Sequence, residues 1–155
     1  MTGNHEFYSG AEQWVRFVRG LGLRPLRNER VALPGFDLAG VEDASGADHG
    51  AGPDYEAALG GRDRDRAVVL LAHQPAQVTQ AARYGVDLQL SGHTHGGQLW
   101  PFTRLASLVE PDVAGLSRYG DTVLYVSRGT GFWGPPVRLD ADPEITVVEL
   151  TSPRA

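Results

Sequence analysis

Two histidines one residue apart give this chain side chains that are able to bind metal ions. His93 and His95 lie in the run Leu-Ser-Gly-His-Thr-His-Gly-Gly-Gln at residues 90–98, where small residues leave the backbone free to bend. In extended backbone, side chains at positions i and i+2 leave the same face roughly 6.6 Å apart, at two rises of about 3.3 Å. Because paired catalytic metals sit about 3.5–4 Å apart, this spacing suits two ions better than one. The alternative is a surface turn that only happens to contain two histidines.

The segments before these histidines predict strands that would place them together. A continuous apolar run at residues 67–72 predicts a strand buried on both faces, and His73 follows it directly. Residues 86–90 predict the next strand, which leads to His93 and His95. A helix from residue 75 or 76 to about residue 84 should connect the two strands. Ligands of layered α/β folds bind beyond the carboxyl ends of strands, so the sequence predicts one shared site.

The rest of the chain alternates predicted helices and strands, which indicates an α/β fold. A helix with an apolar stripe should begin after Ser9 or Gly10 and end near residue 20, and a short helix should span residues 54–59. Strands are predicted at residues 31–33 and 36–41, which form a hairpin, at 122–126, and at 144–150 near a sheet edge. Residues 42–53 read as a mobile loop in which His49 is solvated, and residues 99–119 as irregular structure.

Composition limits the classes of function. The 155 residues suit one globular domain, with 41% apolar and 21% charged residues. The net charge is −5, and the scattered arginines, with no lysine, form no nucleic-acid-binding footprint. The absence of cysteine excludes a thiolate metal site. No apolar run approaches the roughly 20 residues that a membrane-spanning helix needs, so we expect no membrane segment in this chain.

A short motif at the start of the chain precedes the histidines, and the order of these motifs is shared with one protein family. Gly-Asn-His-Glu at residues 3–6, then His73, then Gly-His-Thr-His at residues 92–95, together resemble the calcineurin-like metallophosphoesterase superfamily. In that family these blocks follow an Asp-x-His and a Gly-Asp-x-x-Asp block, which are absent here. The resemblance implies a four-layer sandwich of two mixed β-sheets flanked by helices, N-terminally truncated. Residues 1–155 would then be the C-terminal part of a single metallophosphoesterase domain.

The resemblance also implies a role for each residue of these motifs. Asn4, His73 and His93 would bind one metal, and His95 would bind the other. His5 would bind no metal and would face the scissile phosphate as the catalytic residue. The complete enzyme would use two divalent ions, Mn, Fe or Zn, with a bridging hydroxide that hydrolyses a phosphomonoester or phosphodiester.

Two arginines are weaker candidates for substrate binding. Arg128 and Arg138 would suit bidentate contacts to a phosphate, and a surface or structural ion pair is the alternative for each. The physiological substrate would be set by the loops at residues 42–53 and 99–119.

The absent blocks would carry the bridging carboxylate, so we expect this chain alone to hold at most one metal and to be a poor catalyst. A different possibility is an inactive fragment or remnant that serves as a metal-binding or partner-binding module. Some relatives carry an N-terminal membrane anchor, so the protein is expected to be either cytoplasmic or membrane-associated through a missing segment. The sequence does not indicate an oligomeric state.

Overall fold

The computed structural model describes residues 1–100 and 112–151. Six strands in this part of the chain form one mixed sheet in the order β1-β2-β3-β4-β6-β5. The strands are β1 (Glu29–Leu33), β2 (Phe36–Gly40), β3 (Ala67–Leu71), β4 (Leu88–Ser91), β5 (Gly115–Tyr119) and β6 (Thr122–Val126). The α-helices are α1 (Asn4–Ser9), α2 (Ala11–Gly20), α3 (Tyr55–Leu59) and α4 (Val78–Arg83). Short 3-10 helices span Ala44–His49, Pro75–Gln77 and His95–Gly97.

The strand pairing brings four carboxyl ends to one edge of the sheet. Strands β2, β3, β4 and β6 run parallel, while β1 and β5 pair antiparallel at the two edges. The hairpin of β1 and β2 closes with Leu33 opposite Phe36, as the Pro34-Gly35 turn predicts. The predicted strands at residues 31–33, 36–41, 67–72, 86–90 and 122–126 are confirmed, and so are all three predicted helices. The mixed α/β class is confirmed and fits the fold that the resemblance implies.

The two faces of the sheet differ in how well they are covered. One face packs beneath α3 and α4, and Val68, Leu70 and Leu124 on it are fully buried. The opposite face carries Leu71, Leu90 and Tyr125 in one register, each only half-buried. Within the described ranges the strands form this sheet alone, so the second sheet of the predicted sandwich is not among them.

Several sequence predictions were wrong. Residues 144–150 form no strand and pair with none of the described sheet, and Ile145 and Val147 are almost fully exposed. Part of the stretch predicted to be irregular, Gly115–Tyr119, forms the edge strand β5. The expected loop at residues 42–53 contains a 3-10 helix, and Asp43 at its start is fully buried. The stretch at residues 99–119, which was expected to be an irregular loop, lies partly outside the described residues, at 101–111.

The apolar stripe of α2 also differs from the expected core-facing stripe. Val15 is buried, whereas Trp14, Phe17 and Leu21 lie on the exposed side. No helix among the described residues is long and apolar enough to cross a membrane.

Candidate metal centre

Three side chains meet beyond the carboxyl ends of β3 and β4. His73 lies two residues after the end of β3, and His93 lies two residues after the end of β4. Asn4 is the first residue of α1, which places its amide above the same edge. His73 Nε2 lies 3.0 Å from Asn4 Oδ1 and 3.1 Å from His93 Nδ1. The structure therefore brings together the three residues that the sequence analysis assigned to one metal.

Hydrogen bonding accounts for only part of this arrangement. A neutral imidazole carries one proton, and the Asn4 oxygen can only accept. If His73 Nε2 donates to Asn4, the same proton cannot also serve a full hydrogen bond with His93 Nδ1. A metal ion would instead accept a lone pair from all three atoms at once.

The two contacts of His73 Nε2 also have the spacing expected of ligands that share an ion. Ligands at right angles around a metal with bonds of about 2.1 Å stand about 3.0 Å apart, which is close to the two observed contacts. Within residues 1–100 and 112–151, no three His, Cys, Asp or Glu side chains are placed to share an ion. The third donor of this cluster is an amide oxygen, which suits first-row divalent metals alongside imidazoles.

The surroundings of His73 lower its pKa, which favours the neutral ring that binds a cation. Burial, and then the neighbouring His93, lower the pKa of His73 to about 4. The Asp43 carboxylate acts in the opposite direction, and charges on His5 and His95 lower the His73 pKa further. At neutral pH the His73 ring is therefore uncharged and its ligating lone pair is free.

A close approach between Gly3 and His73 fixes this ring. A Cβ atom on Gly3 would lie 3.0 Å from His73 Cε1 and 3.1 Å from His73 Nδ1, so only glycine fits without displacement. The Gly3 amide donates to Glu6 Oε2 at 2.6 Å, which satisfies one of the free N–H groups at the start of α1. Glu6 is thereby used in capping the helix.

A buried polar network anchors the same segment to the end of β2. The Thr2 hydroxyl donates to Glu42 and accepts from the Asp43 amide, at 3.1 Å. Asp43 in turn accepts from the side chain of Gln74, the residue after His73, at 3.0 Å and 3.1 Å. All these groups except Gln74 are buried. The network ties the residues before Asn4 to the residue after His73, so it holds two ligand segments at a fixed distance. The sequence analysis missed this network.

The loop that carries His93 and His95 is not extended, contrary to the sequence-based expectation. His93 has φ 70° and His95 has φ 52°, both in the left-handed region that non-glycine residues seldom occupy. Gly96 follows with φ 65°, and a Cβ there would meet the Arg128 side chain at 2.9 Å. The two histidines therefore do not leave one face of a strand, and the spacing argument for two metals does not apply. Strained residues of this kind concentrate at functional sites.

The ring and carbonyl of His95 are both in contact with an arginine. Arg138 Nη2 lies 3.3 Å from His95 Nδ1, and Arg138 Nη1 donates to the His95 carbonyl at 3.3 Å. Burial, and then the charge of Arg138, lower the pKa of His95. Because a ligating nitrogen needs a free lone pair, Nδ1 of His95 becomes a metal ligand only if this arginine contact opens.

The other N–H groups of the Arg138 guanidinium donate to backbone carbonyls of the protein. They bond to the backbone carbonyls of Gly131 at 2.8 Å, Arg128 at 2.8 Å and Ala141 at 3.0 Å. In this structure the hydrogen bonds of Arg138 therefore connect residues 128–141 to the loop that carries His93 and His95. Arg128 differs, because its guanidinium makes only a 3.9 Å contact with Glu144 and is largely exposed. Arg128 is free to contact an anion.

Gln98 makes a second set of hydrogen bonds between the histidine loop and the chain near Trp133, which the sequence analysis did not recognise. It is buried and has φ 53°. Its side-chain amide donates to the Trp133 carbonyl at 2.6 Å and accepts from the Trp133 amide at 2.5 Å. The Gly-Gly-Gln sequence that follows the histidines is the feature from which this contact could have been predicted.

A cavity opens beside the histidines. It has a volume of about 520 Å³, in the range of small-molecule sites, and His73, His93 and His95 line it. Leu90 and Tyr125, from the half-exposed face of the sheet, make its wall apolar. His5 is not among its lining residues; it is exposed on α1, and its ring meets Tyr8 edge-on at 5.6 Å between centroids.

Comparisons with known proteins agree with this architecture. The family model described as calcineurin-like phosphoesterase matches residues 1–97. An uncharacterized metallophosphoesterase of Helicobacter pylori strain J99 is 42% identical over 97% of this chain and 41% of its own length. A transmembrane protein with metallophosphoesterase domain from Bos taurus is 40% identical over 97% of this chain and 38% of its own. The uncharacterized metallophosphoesterase YkuE of Bacillus subtilis is 38% identical over 97% of this chain and 54% of its own.

No solved structure matches this chain. The chain spans about two fifths of the length of the Helicobacter and Bos taurus relatives. The family match covers the whole strand-and-loop framework up to the histidine loop, including Asn4, His73, His93 and His95. This chain belongs to the calcineurin-like phosphoesterase family.

Proposed function

We propose that this chain forms part of the active site of a metal-dependent hydrolase that cleaves phosphomonoesters or phosphodiesters. The observation that supports the proposal is that His73 Nε2 lies 3.0 Å from Asn4 Oδ1 and 3.1 Å from His93 Nδ1. These three atoms would hold one divalent ion, Mn, Fe or Zn. His95 would hold a second ion once its contact with Arg138 opens. When bound, such ions supply Lewis acidity for the phosphoryl oxygens and lower the pKa of the attacking water.

The chain's own residues would then act on the ester. The half-apolar cavity beside the histidines accommodates the substrate, and Arg128 offers a planar pair of donors to the phosphoryl oxygens. His5 would give its proton to the leaving oxygen as the bond between phosphorus and that oxygen breaks. Its exposed position on the first turn of α1, next to Asn4, leaves it accessible to a leaving group.

The ligand count suggests that this chain does not supply the whole site. Four candidate ligands do not complete two metal sites, since a catalytic ion generally needs about three protein ligands. We propose that further ligands come from the part of the relatives' length that this chain does not span. The 155-residue chain should accordingly hold about one ion and hydrolyse slowly. The vertebrate relatives are named transmembrane proteins, and on that ground we propose that this chain works beside a membrane.

The proposal is tested with His5→Ala in a form of the protein that turns over esters. We expect metal content to stay unchanged while kcat falls by roughly 10²–10⁴, the range for a positioned general acid. The fall should be larger for an alkyl ester than for a nitrophenyl ester, which needs little protonation as it leaves. The matched control is His49→Ala, an exposed histidine outside the cluster. Loss of metal in His5→Ala, or equal turnover by His5→Ala and wild type, would contradict the assignment.

A further inference from the structure

Gln89 is a polar side chain on the apolar, helix-covered face of the sheet. In the strand register it stands in β4 between Leu70 of β3 and Leu124 of β6, and all three side chains are fully buried. An amide removed from water costs free energy unless hydrogen bonds inside the protein replace those to water. Residues that depart from the pattern of their surroundings concentrate at functional or strained sites.

The hydrogen bonds of Gln89 run to the end of β3, where His73 lies. Gln89 Nε2 donates to Ser91 Oγ at 2.9 Å. It also donates to the carbonyls of Gln74 and Pro75, at 3.4 Å each. A carbonyl can only accept, so the nitrogen end of the amide faces this segment. Gln89 Oε1 meets no donor among the described residues, so the side chain acts on the segment after His73 as a donor alone.

Two further hydrogen bonds complete the connection between the ends of β3 and β4. The Ser91 hydroxyl donates to the Ala72 carbonyl at 2.7 Å, and the Gly92 amide donates to the His73 carbonyl at 3.1 Å. Together with the two longer bonds above, they give every carbonyl of residues 72–75 a donor from β4 or the residue after it. The segment that carries one imidazole is therefore held on both sides by the strand that leads to the other.

We propose that Gln89 and Ser91 are positioning residues of the candidate metal centre, which set the distance between the rings of His73 and His93. This inference rests on the proposed function, because these rings are two of the three ligands named there. His73 Nε2 and His93 Nδ1 lie 3.1 Å apart, and metal sites tolerate about 0.2 Å in ligand distance. The ligating nitrogen is at the far end of its side chain, so a small rotation of the peptide groups beside His73 shifts it.

The test compares Gln89→Met with Thr122→Val in the 155-residue chain. Methionine keeps an unbranched side chain and removes the amide. Thr122 is the matched control because it is also buried, and its hydroxyl donates to the Val86 carbonyl at 2.6 Å, before the start of β4 and away from the histidines. Thr122→Val therefore removes a buried hydrogen bond and leaves the bonds to residues 72–75 in place.

Calorimetric titration with Zn²⁺ should show binding by Gln89→Met weakened by about 10–100-fold, the range for loss of a group that positions a ligand. Thr122→Val should bind Zn²⁺ as the wild type does, although its melting temperature falls. Equal Zn²⁺ affinity of folded Gln89→Met and wild type overturns the proposal. So does an equal loss of affinity in Thr122→Val, which would assign Gln89 a purely structural role. If Gln89→Met does not fold, Ser91→Ala, which removes a single hydroxyl, decides in the same way.

A readout without metal separates this proposal from the proposed function. The rings of His73 and His93 meet edge-on at 4.9 Å between centroids, so the metal-free wild type should show a nuclear Overhauser effect between them. Gln89→Met should lose this effect, and Thr122→Val should keep it. A wild type that binds no Zn²⁺ contradicts the proposed function. An effect that is unchanged in Gln89→Met, or absent from the wild type, overturns the positioning role whatever the Zn²⁺ result.

Discussion

Replacing Gly3 with alanine should disturb the metal centre without unfolding the chain. The backbone at Gly3 is extended, with φ −111° and ψ 179°, so alanine causes no backbone strain there. Its Cβ, however, would lie 3.0 Å from His73 Cε1 and 3.1 Å from Nδ1. An ordinary contact needs at least 3.4 Å, so the ring has to move by about 0.4 Å. Metal sites tolerate about 0.2 Å in ligand distance. We therefore expect metal affinity to fall by about 10–100-fold, the range for loss of a group that positions a ligand.

The assay is a calorimetric titration of Mn²⁺ or Zn²⁺ into the metal-free chain, with a thermal melt of each variant. Gly20→Ala is the matched control, because a Cβ at this helical glycine would meet nothing within 4 Å. Gly20→Ala should bind metal as the wild type does. Equal metal affinity of Gly3→Ala and wild type would refute the reasoning, since it would mean that His73 either moves freely or binds no ion.

Three further variants test the residues that position the site. Arg138→Lys should lower the melting temperature and free His95, because an ammonium group cannot replace a fork of contacts to several carbonyls; a melt equal to wild type would contradict this. Gln98→Leu should cost about 0.5–1.5 kcal/mol in unfolding free energy for each hydrogen bond lost, since the Trp133 carbonyl and amide lose their side-chain partner, and denaturant titration measures it. Thr2→Val should cost about 1–3 kcal/mol, because the buried Asp43 amide loses its acceptor, and it should also weaken metal binding; an unchanged metal affinity would show that the network does not position Asn4.

The sequence predicted most of the framework, because strong local patterns determine it. The apolar run that became β3 and the Pro34-Gly35 turn before β2 specify their structure locally. Strand β5 was missed, since its sequence Gly-Leu-Ser-Arg-Tyr has no apolar run and it forms by pairing with β6 at the sheet edge. The opposite error occurred at residues 144–150, where alternation predicted a strand. A strand needs a neighbour, and the described sheet offers none there.

The candidate site was predictable in its residues and not in its geometry. The rule that ligands follow strand ends predicted that His73 and His93 would meet, which is confirmed by their 3.1 Å contact. The left-handed backbone at His93 and His95 was not predictable, because tertiary contacts support it: Arg138 holds the His95 carbonyl and ring. Contacts with residues about 40 positions away leave no local pattern in the sequence.

The central claim is that His73, with Asn4 and His93, holds a metal ion, and metal titration of histidine variants tests it most directly. Calorimetry of the metal-free wild type should give about one ion per chain. His73→Ala should abolish this binding, whereas His49→Ala, which removes an exposed histidine stacked on Phe7, should keep both stoichiometry and affinity. Circular dichroism of both variants would verify that the chain is folded. Unchanged metal binding by a folded His73→Ala chain would contradict the account.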